Sequence, residues 1–151
     1  MKKLLLIALS VLLLAGATFL TLLFRNEPTF DTNFNEKVNT IRAGYDLAGL
    51  EQVEDLNVIA QMKCDDMVKR NYYAHINPNG KQAWEQYNFG NYQYYGENLA
   101  HGYKSSFETV NGWRESPTHL ENLVNPKYTQ VGYGVCKDND GYYYVVQEFR
   151  G

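Results

Sequence analysis

Three histidines, His75, His101 and His119, are the side chains of this chain whose type suits chemistry near neutral pH. Neutral imidazole binds zinc, and it also exchanges a proton in the physiological range. Unlike two histidines four residues apart on one helix, His75 and His119 lie on separate segments, so only the tertiary structure can bring them together. From the residues alone, we interpret His75 as a loop histidine hydrogen-bonded to a backbone group, and spacing by itself predicts no metal site.

Ser116 and His119 are three residues apart, a spacing that lets a serine and a histidine approach each other on a helix. Neither an orienting acid nor an oxyanion-binding feature accompanies them in the sequence. Pro117 follows Ser116, and serine followed by proline is a typical helix start with the serine as N-cap. We therefore predict that Ser116 caps a short helix carrying His119, and we reject a nucleophilic pair.

Cys64 and Cys136 are the only two cysteines. If the body of the protein is exported, both lie in an oxidising compartment, and we expect a disulfide between them. The alternative is two buried thiols that pack as small apolar residues. A bridge between such distant positions stabilises a domain by about 4 kcal/mol in the chain-entropy model.

The first 25 residues predict export or membrane anchoring. Residues 4–24 form an uncharged, mostly apolar run, long enough to span the hydrocarbon core, and Lys2 and Lys3 precede it. The small residues 15–17 allow cleavage of a signal peptide after Ala17, but the apolar run continues past them and favours an uncleaved anchor. We assign residues 1–25 to this leader, 26–32 to a linker and 33–151 to one extracytoplasmic domain.

Helical periods dominate the first part of the domain and an alternating period its end. The predicted helices cover residues 33–45, 54–70 and 81–87, followed by one that opens at the Ser105 capping box and one that opens at Pro117. Residues 71–80 and 88–96 are predicted loops. Residues 131–136 and 142–149 alternate in polarity or are rich in aromatic and β-branched residues, which predicts an antiparallel hairpin. This order indicates an α+β fold with Cys64 reaching the sheet at Cys136.

Charge argues against a nucleic-acid partner. The chain has a formal net charge of −3, and without Lys2, Lys3 and Arg25 of the leader the body carries −6. Binding a phosphate backbone depends on clustered lysine and arginine, and here the basic residues are scattered among a larger number of acids.

Four segments together resemble the CAP superfamily, the SCP-like extracellular domains, in its bacterial form. They are residues 72–80 (YYAHINPNG), 96–100 (GENLA), 113–123 (WRESPTHLENL) followed by 131–135 (VGYGV), and 145–149 (VVQEF). Each segment alone is weakly specific, but four in the right order cover nearly the whole domain. The resemblance implies an α-β-α sandwich with a C-terminal hairpin and a cleft into which two histidines and acidic residues project.

By position in these motifs, the resemblance implies that His75, Glu97 and His119 line the cleft. Many family members carry a second glutamate three residues after the tryptophan, where this chain has Ser116; Glu115 is one residue away. We include Glu115 and Asn122 among the candidate binding residues, with Asn122 satisfying backbone groups near the cleft. His75 and His119 are the candidate zinc ligands, although the fold requires no cofactor.

The resemblance leaves three hypotheses for function. The first is an extracytoplasmic or envelope-associated binding module whose cleft and tyrosine-rich surface take a small apolar molecule, a glycan or a protein. The second is a zinc-assisted hydrolase in which His75 and His119 hold the metal and Glu97 is the general base. The third is a structural surface domain with a vestigial site. The sequence does not decide whether the protein is an enzyme.

Overall fold

The computed structural model describes residues 30–151. The predicted leader, residues 1–25, lies outside the described residues, as does the linker up to residue 29. No helix within the described range is long and apolar enough to cross a membrane.

Five helices and four strands make up the described part of the chain. In chain order they are α1 Phe34–Ala43, β1 Glu51–Gln52, α2 Glu54–Arg70, α3 Ala83–Gln86, β2 Tyr95–His101, α4 Ser106–Glu115, α5 Pro117–Leu123, β3 Gln130–Lys137 and β4 Tyr143–Arg150. The strands form one sheet in the order β1-β3-β4-β2, in which only the β1–β3 pair is parallel. The predicted α+β fold and its terminal hairpin are confirmed.

The sheet is covered on both faces, and successive strand residues point to opposite faces. Leu99 of β2 and Val146 of β4 pack against α2, on what we call the α2 face. Their neighbours Ala100 and Val145 pack instead with side chains of α1, α4 and α5, on the opposite face. This arrangement gives the three layers of an α-β-α sandwich.

Close approach of α2 to β3 depends on two glycines. A Cβ at Gly132 or Gly134 would lie within 2.4 Å of the α2 backbone, at Leu56 and Ala60 respectively. The predicted disulfide between Cys64 and Cys136 then joins α2 to β3, with the two Cα atoms 5.9 Å apart. The α2 face is therefore fastened to the sheet by backbone contact and by a covalent bond.

Strand β2 is the main element that the sequence analysis missed. The predicted loop 88–96 includes its first two residues, and residues 97–101 received no strand assignment. Residues 96–100 are all buried, because helices lie on both faces of the sheet. A strand buried on both faces shows no polar alternation, and Glu97 and Asn98 also hide its apolar character.

Candidate functional site

His75 lies in the loop that connects α2 and α3. Lys63 of α2 is buried under this loop, and its Nζ donates hydrogen bonds of 2.9 Å to the carbonyl oxygens of Ala74 and His75. Lys63 interrupts the apolar face of α2 in the sequence, and this role explains it. The turn after His75 is closed by Asn77, whose Oδ1 accepts the amide hydrogens of Asn79 and Lys81. The helix and the turn thus fix the loop from both sides.

His75 and Glu97 form a direct pair. The His75 Nδ1 and the Glu97 Oε1 are 2.6 Å apart, with the imidazole side chain 56% exposed and the carboxylate buried. A buried carboxylate in contact with one ring nitrogen orients the imidazole. Because Nδ1 is engaged by Glu97, Nε2 is the nitrogen that His75 can offer to a ligand.

Glu148 of β4 lies directly opposite Glu97 of β2 in the sheet. Both residues are buried on the α2 face, and Glu97 Oε2 and both carboxyl oxygens of Glu148 have no hydrogen-bond partner among residues 30–151. Burial raises the pKa of Glu148 well above its ordinary value, and the neighbouring Glu97 raises it further. Lys63 acts in the other direction but more weakly. Sequence analysis missed Glu148, although an acidic residue within a predicted strand rich in apolar and aromatic residues is a signal for it.

His119 is the second imidazole of the site and lies on α5. Its Nδ1 is 2.7 Å from Ser116 Oγ. Burial lowers the pKa of His119, and the nearby His75 lowers it further. The charge of His75 thus acts on His119, although no hydrogen bond in the described structure joins His119 to Glu97.

The predicted capping role of the Ser116 side chain is wrong. Ser116 precedes α5 as expected, but its hydroxyl caps no backbone amide and contacts His119 instead. The Ser116 hydroxyl therefore engages the imidazole rather than an amide of the first helical turn. The contact between Ser116 and His119 that their three-residue spacing allows is therefore present. Among the described contacts of these two residues, no acid orients the histidine.

Asn122 belongs to a buried amide network. Its Nδ2 donates to the Glu97 carbonyl oxygen and to Asn98 Oδ1, at 3.1 and 2.9 Å. Asn98 Nδ2 in turn donates to the His119 carbonyl oxygen and to Gln147 Oε1. These bonds tie α5 to β2 and so place the His119 backbone next to the strand that carries Glu97.

Glu115 is the candidate residue that the structure does not bring to the others. It is the last residue of α4 and is exposed, and within residues 30–151 no ion pair or hydrogen bond connects it to His75, Glu97 or His119. The serine at the next position contacts the site instead.

The donor set does not fit a zinc ion held by three protein ligands. Residues 30–151 contain no group of three or more His, Cys, Asp or Glu side chains arranged to hold a metal. His75 and His119 each use Nδ1 in another contact, and Glu97 Oε1 is occupied by His75. The two Nε2 atoms remain, because the unpartnered Glu97 Oε2 is buried on the α2 face, and two is one fewer than the protein ligands of a typical catalytic zinc site.

Comparison with known proteins gives consistent matches. The family model for the cysteine-rich secretory protein family, CAP, matches residues 36–149. The uncharacterized protein YkwD of Bacillus subtilis is 35% identical over 101 residues, which cover 66% of this chain and 39% of YkwD. The uncharacterized membrane protein YlbC of the same species is 30% identical over 111 residues, covering 72% of this chain and 32% of YlbC. The chain thus spans well under half the length of these relatives.

Solved structures show the same fold. An extracellular protein with an SCP domain from Bacillus anthracis superposes with a TM-score of 0.69 at 26% identity, covering 80% of this chain and 39% of that one. An outer surface protein of Borrelia burgdorferi superposes with a TM-score of 0.68 at 24% identity, covering 77% of this chain and 87% of that one. With the family model matching most of the domain, this chain belongs to the CAP family of cysteine-rich secretory proteins.

Proposed function

We propose that this protein is an extracytoplasmic binding module that takes a glycan at the face formed by His75, Glu97 and His119. The observation that carries the proposal is a group of contacting aromatic rings at the surface near the His75–Glu97 pair. We call this group the aromatic patch; its members are the exposed Tyr73, His101 and Tyr142 and the half-buried Tyr144.

The aromatic patch is continuous around His101. The centroid of the His101 ring lies 4.3 Å from that of Tyr144, 5.7 Å from that of Tyr142 and 5.8 Å from that of Tyr73. Tyr73 and Tyr142 are 48% and 56% exposed, so these rings are not part of the packed core. The rings of the patch therefore already contact one another before a ligand binds, and their exposed faces are available to that ligand.

Tyr73 connects the patch to the histidine site. Partial burial is the main cause that raises the pKa of Tyr73 to about 12, and the nearby Tyr103 and Glu97 raise it further. Glu97 is the residue that contacts His75. A ligand lying on Tyr73 would therefore be within reach of the His75 imidazole.

The chemistry of this face suits a sugar better than a purely apolar molecule. Tyrosine rings supply broad contact area with a polar end, and the C–H faces of sugar rings pack against such rings. Polar groups lie among them, with His101 Nε2 3.8 Å from the Asp138 carboxylate and the His75 imidazole beyond. These groups can hydrogen-bond sugar hydroxyls, whereas an apolar ligand would leave them unpaired.

Extracytoplasmic location is supported by the relatives. The Bacillus anthracis structure is described as an extracellular protein and the Borrelia structure as an outer surface protein. The disulfide between Cys64 and Cys136 also suits an oxidising compartment. A leader in residues 1–25, whether cleaved or retained as an anchor, remains part of this proposal.

Titration with oligosaccharides of N-acetylglucosamine and N-acetylmuramic acid, followed by NMR and calorimetry, tests the glycan proposal. We expect binding to weaken about fivefold in Tyr73→Ala and in Tyr142→Ala, since each change removes a stacking ring. Tyr45→Ala is the matched control, because Tyr45 is equally exposed but follows α1 on another part of the surface. Equal affinities for all three variants would contradict a site at the aromatic patch.

Mass spectrometry of small molecules extracted from the native protein distinguishes the other ligand classes. Glycan fragments that co-purify with the protein would support the proposal. A co-purified lipid or other apolar molecule would contradict it if that molecule, added back to the protein, shifts the NMR signals of His75 and Tyr73. The zinc-assisted hydrolase is not favoured, because the described donors do not complete a three-ligand zinc site.

A further inference from the structure

Three buried carboxyl oxygens at the base of the site receive no hydrogen bond from the part of the chain that the structure describes. They are Glu97 Oε2 and both oxygens of Glu148. Buried polar atoms in folded proteins almost always have a partner, so an unpaired group requires an explanation. Here the two side chains lie opposite each other on adjacent strands and on the same face of the sheet.

Among residues 30–151, no lysine, arginine or histidine forms an ion pair with Glu148. From α2, the Lys63 ammonium donates to the Ala74 and His75 carbonyl oxygens and forms no ion pair with Glu148 in the described structure. From the segment after α3, Tyr87 lies near enough to feel the charge of Glu148. From β3, the residue opposite is Gly132, which has no side chain.

Two ionised carboxylates side by side in this environment would repel each other and would lose hydration without compensation. A single proton placed between them removes the repulsion and leaves only one buried negative charge. The proton turns one carboxylate into a donor, and the donor satisfies an oxygen of the other. Glu97 already contacts the His75 imidazole through Oε1, so Glu148, which has no other partner among residues 30–151, is the group better placed to keep the proton.

We propose that Glu148 is a positioning residue that stays a neutral carboxylic acid at neutral pH and donates a hydrogen bond from its carboxyl O–H to Glu97 Oε2. Glu97 then remains ionised, and its Oε1 accepts a hydrogen bond from His75 Nδ1–H. The pair fixes which ring nitrogen of His75 carries a proton and leaves Nε2 directed away from the sheet. The raised pKa of Glu148, caused first by burial and second by Glu97, agrees with this assignment.

The assignment goes beyond the proposed glycan function, since it concerns the protein without a ligand. Its test therefore needs no ligand, and its outcome is independent of the binding experiments. The signature is proton uptake: the folded protein holds a proton that the unfolded chain releases above the ordinary glutamate pKa.

Stability measured against pH tests the proposal with Glu148→Gln, whose amide keeps a donor for Glu97 but cannot titrate. Between about pH 4.5 and the raised folded pKa, the folding equilibrium constant of the wild type should fall by up to about tenfold per pH unit relative to Glu148→Gln. Glu115→Gln, an exposed control, should follow the wild type. Superimposable pH profiles for the wild type and Glu148→Gln would overturn the proposal.

Carboxyl carbon NMR on the wild type covers the case in which Glu148→Gln does not fold. A Glu148 signal that stays protonated at pH 7 supports the proposal, and one that titrates near the ordinary glutamate value of about 4.3 overturns it.

Nitrogen NMR of His75 reports the positioning role. The fraction of His75 protonated on Nδ1 should fall in Glu148→Leu, which lacks a donor, and should return to the wild-type fraction in Glu148→Gln; no change in Glu148→Leu would contradict that role.

Discussion

Two adjacent residue pairs of strands β2 and β4 show opposite solutions to the same problem. Asn98 lies opposite Gln147, and Glu97 lies opposite Glu148, in consecutive positions of the sheet. All four residues are buried. The amide pair is connected on every side by hydrogen bonds, whereas the acid pair leaves three oxygens unpartnered within residues 30–151.

The difference follows from the face on which each pair lies. Asn98 and Gln147 point to the opposite face, where Asn122 donates to Asn98 and Gln147 donates to the Tyr133 hydroxyl. Amides are both donors and acceptors, so a chain of them can be satisfied at any pH. Two carboxyl groups satisfy each other only when they share a proton. The amide pair therefore serves the architecture, whereas the acid pair responds to pH.

Loss of the disulfide is expected to have the largest effect on the stability of the fold. It should loosen the α2 face, which holds the acid pair, more than the opposite face, which holds the amide pair. The bond joins α2 to β3 across 72 positions, and removing it in the double variant Cys64→Ala, Cys136→Ala should cost about 4 kcal/mol of unfolding free energy. Denaturant titration measures this loss.

Hydrogen exchange then locates the effect of the missing disulfide. Because α2 covers Glu97 and Glu148, amides of α2 should lose more protection than those of α5, which the amide network still holds. Equal loss of protection in both helices would show that the two faces are not independent.

Truncation of the amide pair is expected to have the second largest effect. Asn98→Ala removes one of the two acceptors of the Asn122 amide and the donor that the Gln147 side-chain oxygen and the His119 carbonyl oxygen share, and we expect a loss of about 3 kcal/mol. The loss should be the same at pH 5 and pH 7, since no member of this network titrates there. Asn91→Ala, at an exposed asparagine, is the control. A strongly pH-dependent loss would contradict the contrast between the two pairs.

The architecture could be predicted because its signals are local. Apolar periods define α1 and α2, the alternation of residues 131–136 defines β3, and two cysteines in an exported domain indicate their own pairing. Strand β2 escaped prediction since burial on both faces removes the alternation that identifies a strand.

The candidate site was less accessible from the sequence, because its contacts join distant positions. Motifs identify His75 and Glu97, and the structure places them in contact. Glu148 lies inside the last resembling segment, residues 145–149, but that segment gives it no role, and its importance depends on a register across two strands that no short sequence pattern encodes. Ser116 was interpreted as a cap because that is its usual role before proline, whereas its hydroxyl contacts His119.

The smallest expected effect is a change in the pKa of His119. It tests whether the charge on His75, which contacts the acid pair, acts on the imidazole of α5. Burial lowers the pKa of His119 and His75 lowers it further, so the folded protein binds less proton than the unfolded chain below the ordinary histidine value of 6.5. Stability is therefore lost through His119 as the pH falls from about 6.5 through its folded pKa. In His75→Ala only the contribution of burial remains, and NMR should show the His119 midpoint rising by a fraction of a unit while staying below 6.5. If the His119 midpoint does not move, the charge on His75 does not reach His119. The site on the α2 face would then be electrostatically separate from α5 and the amide network.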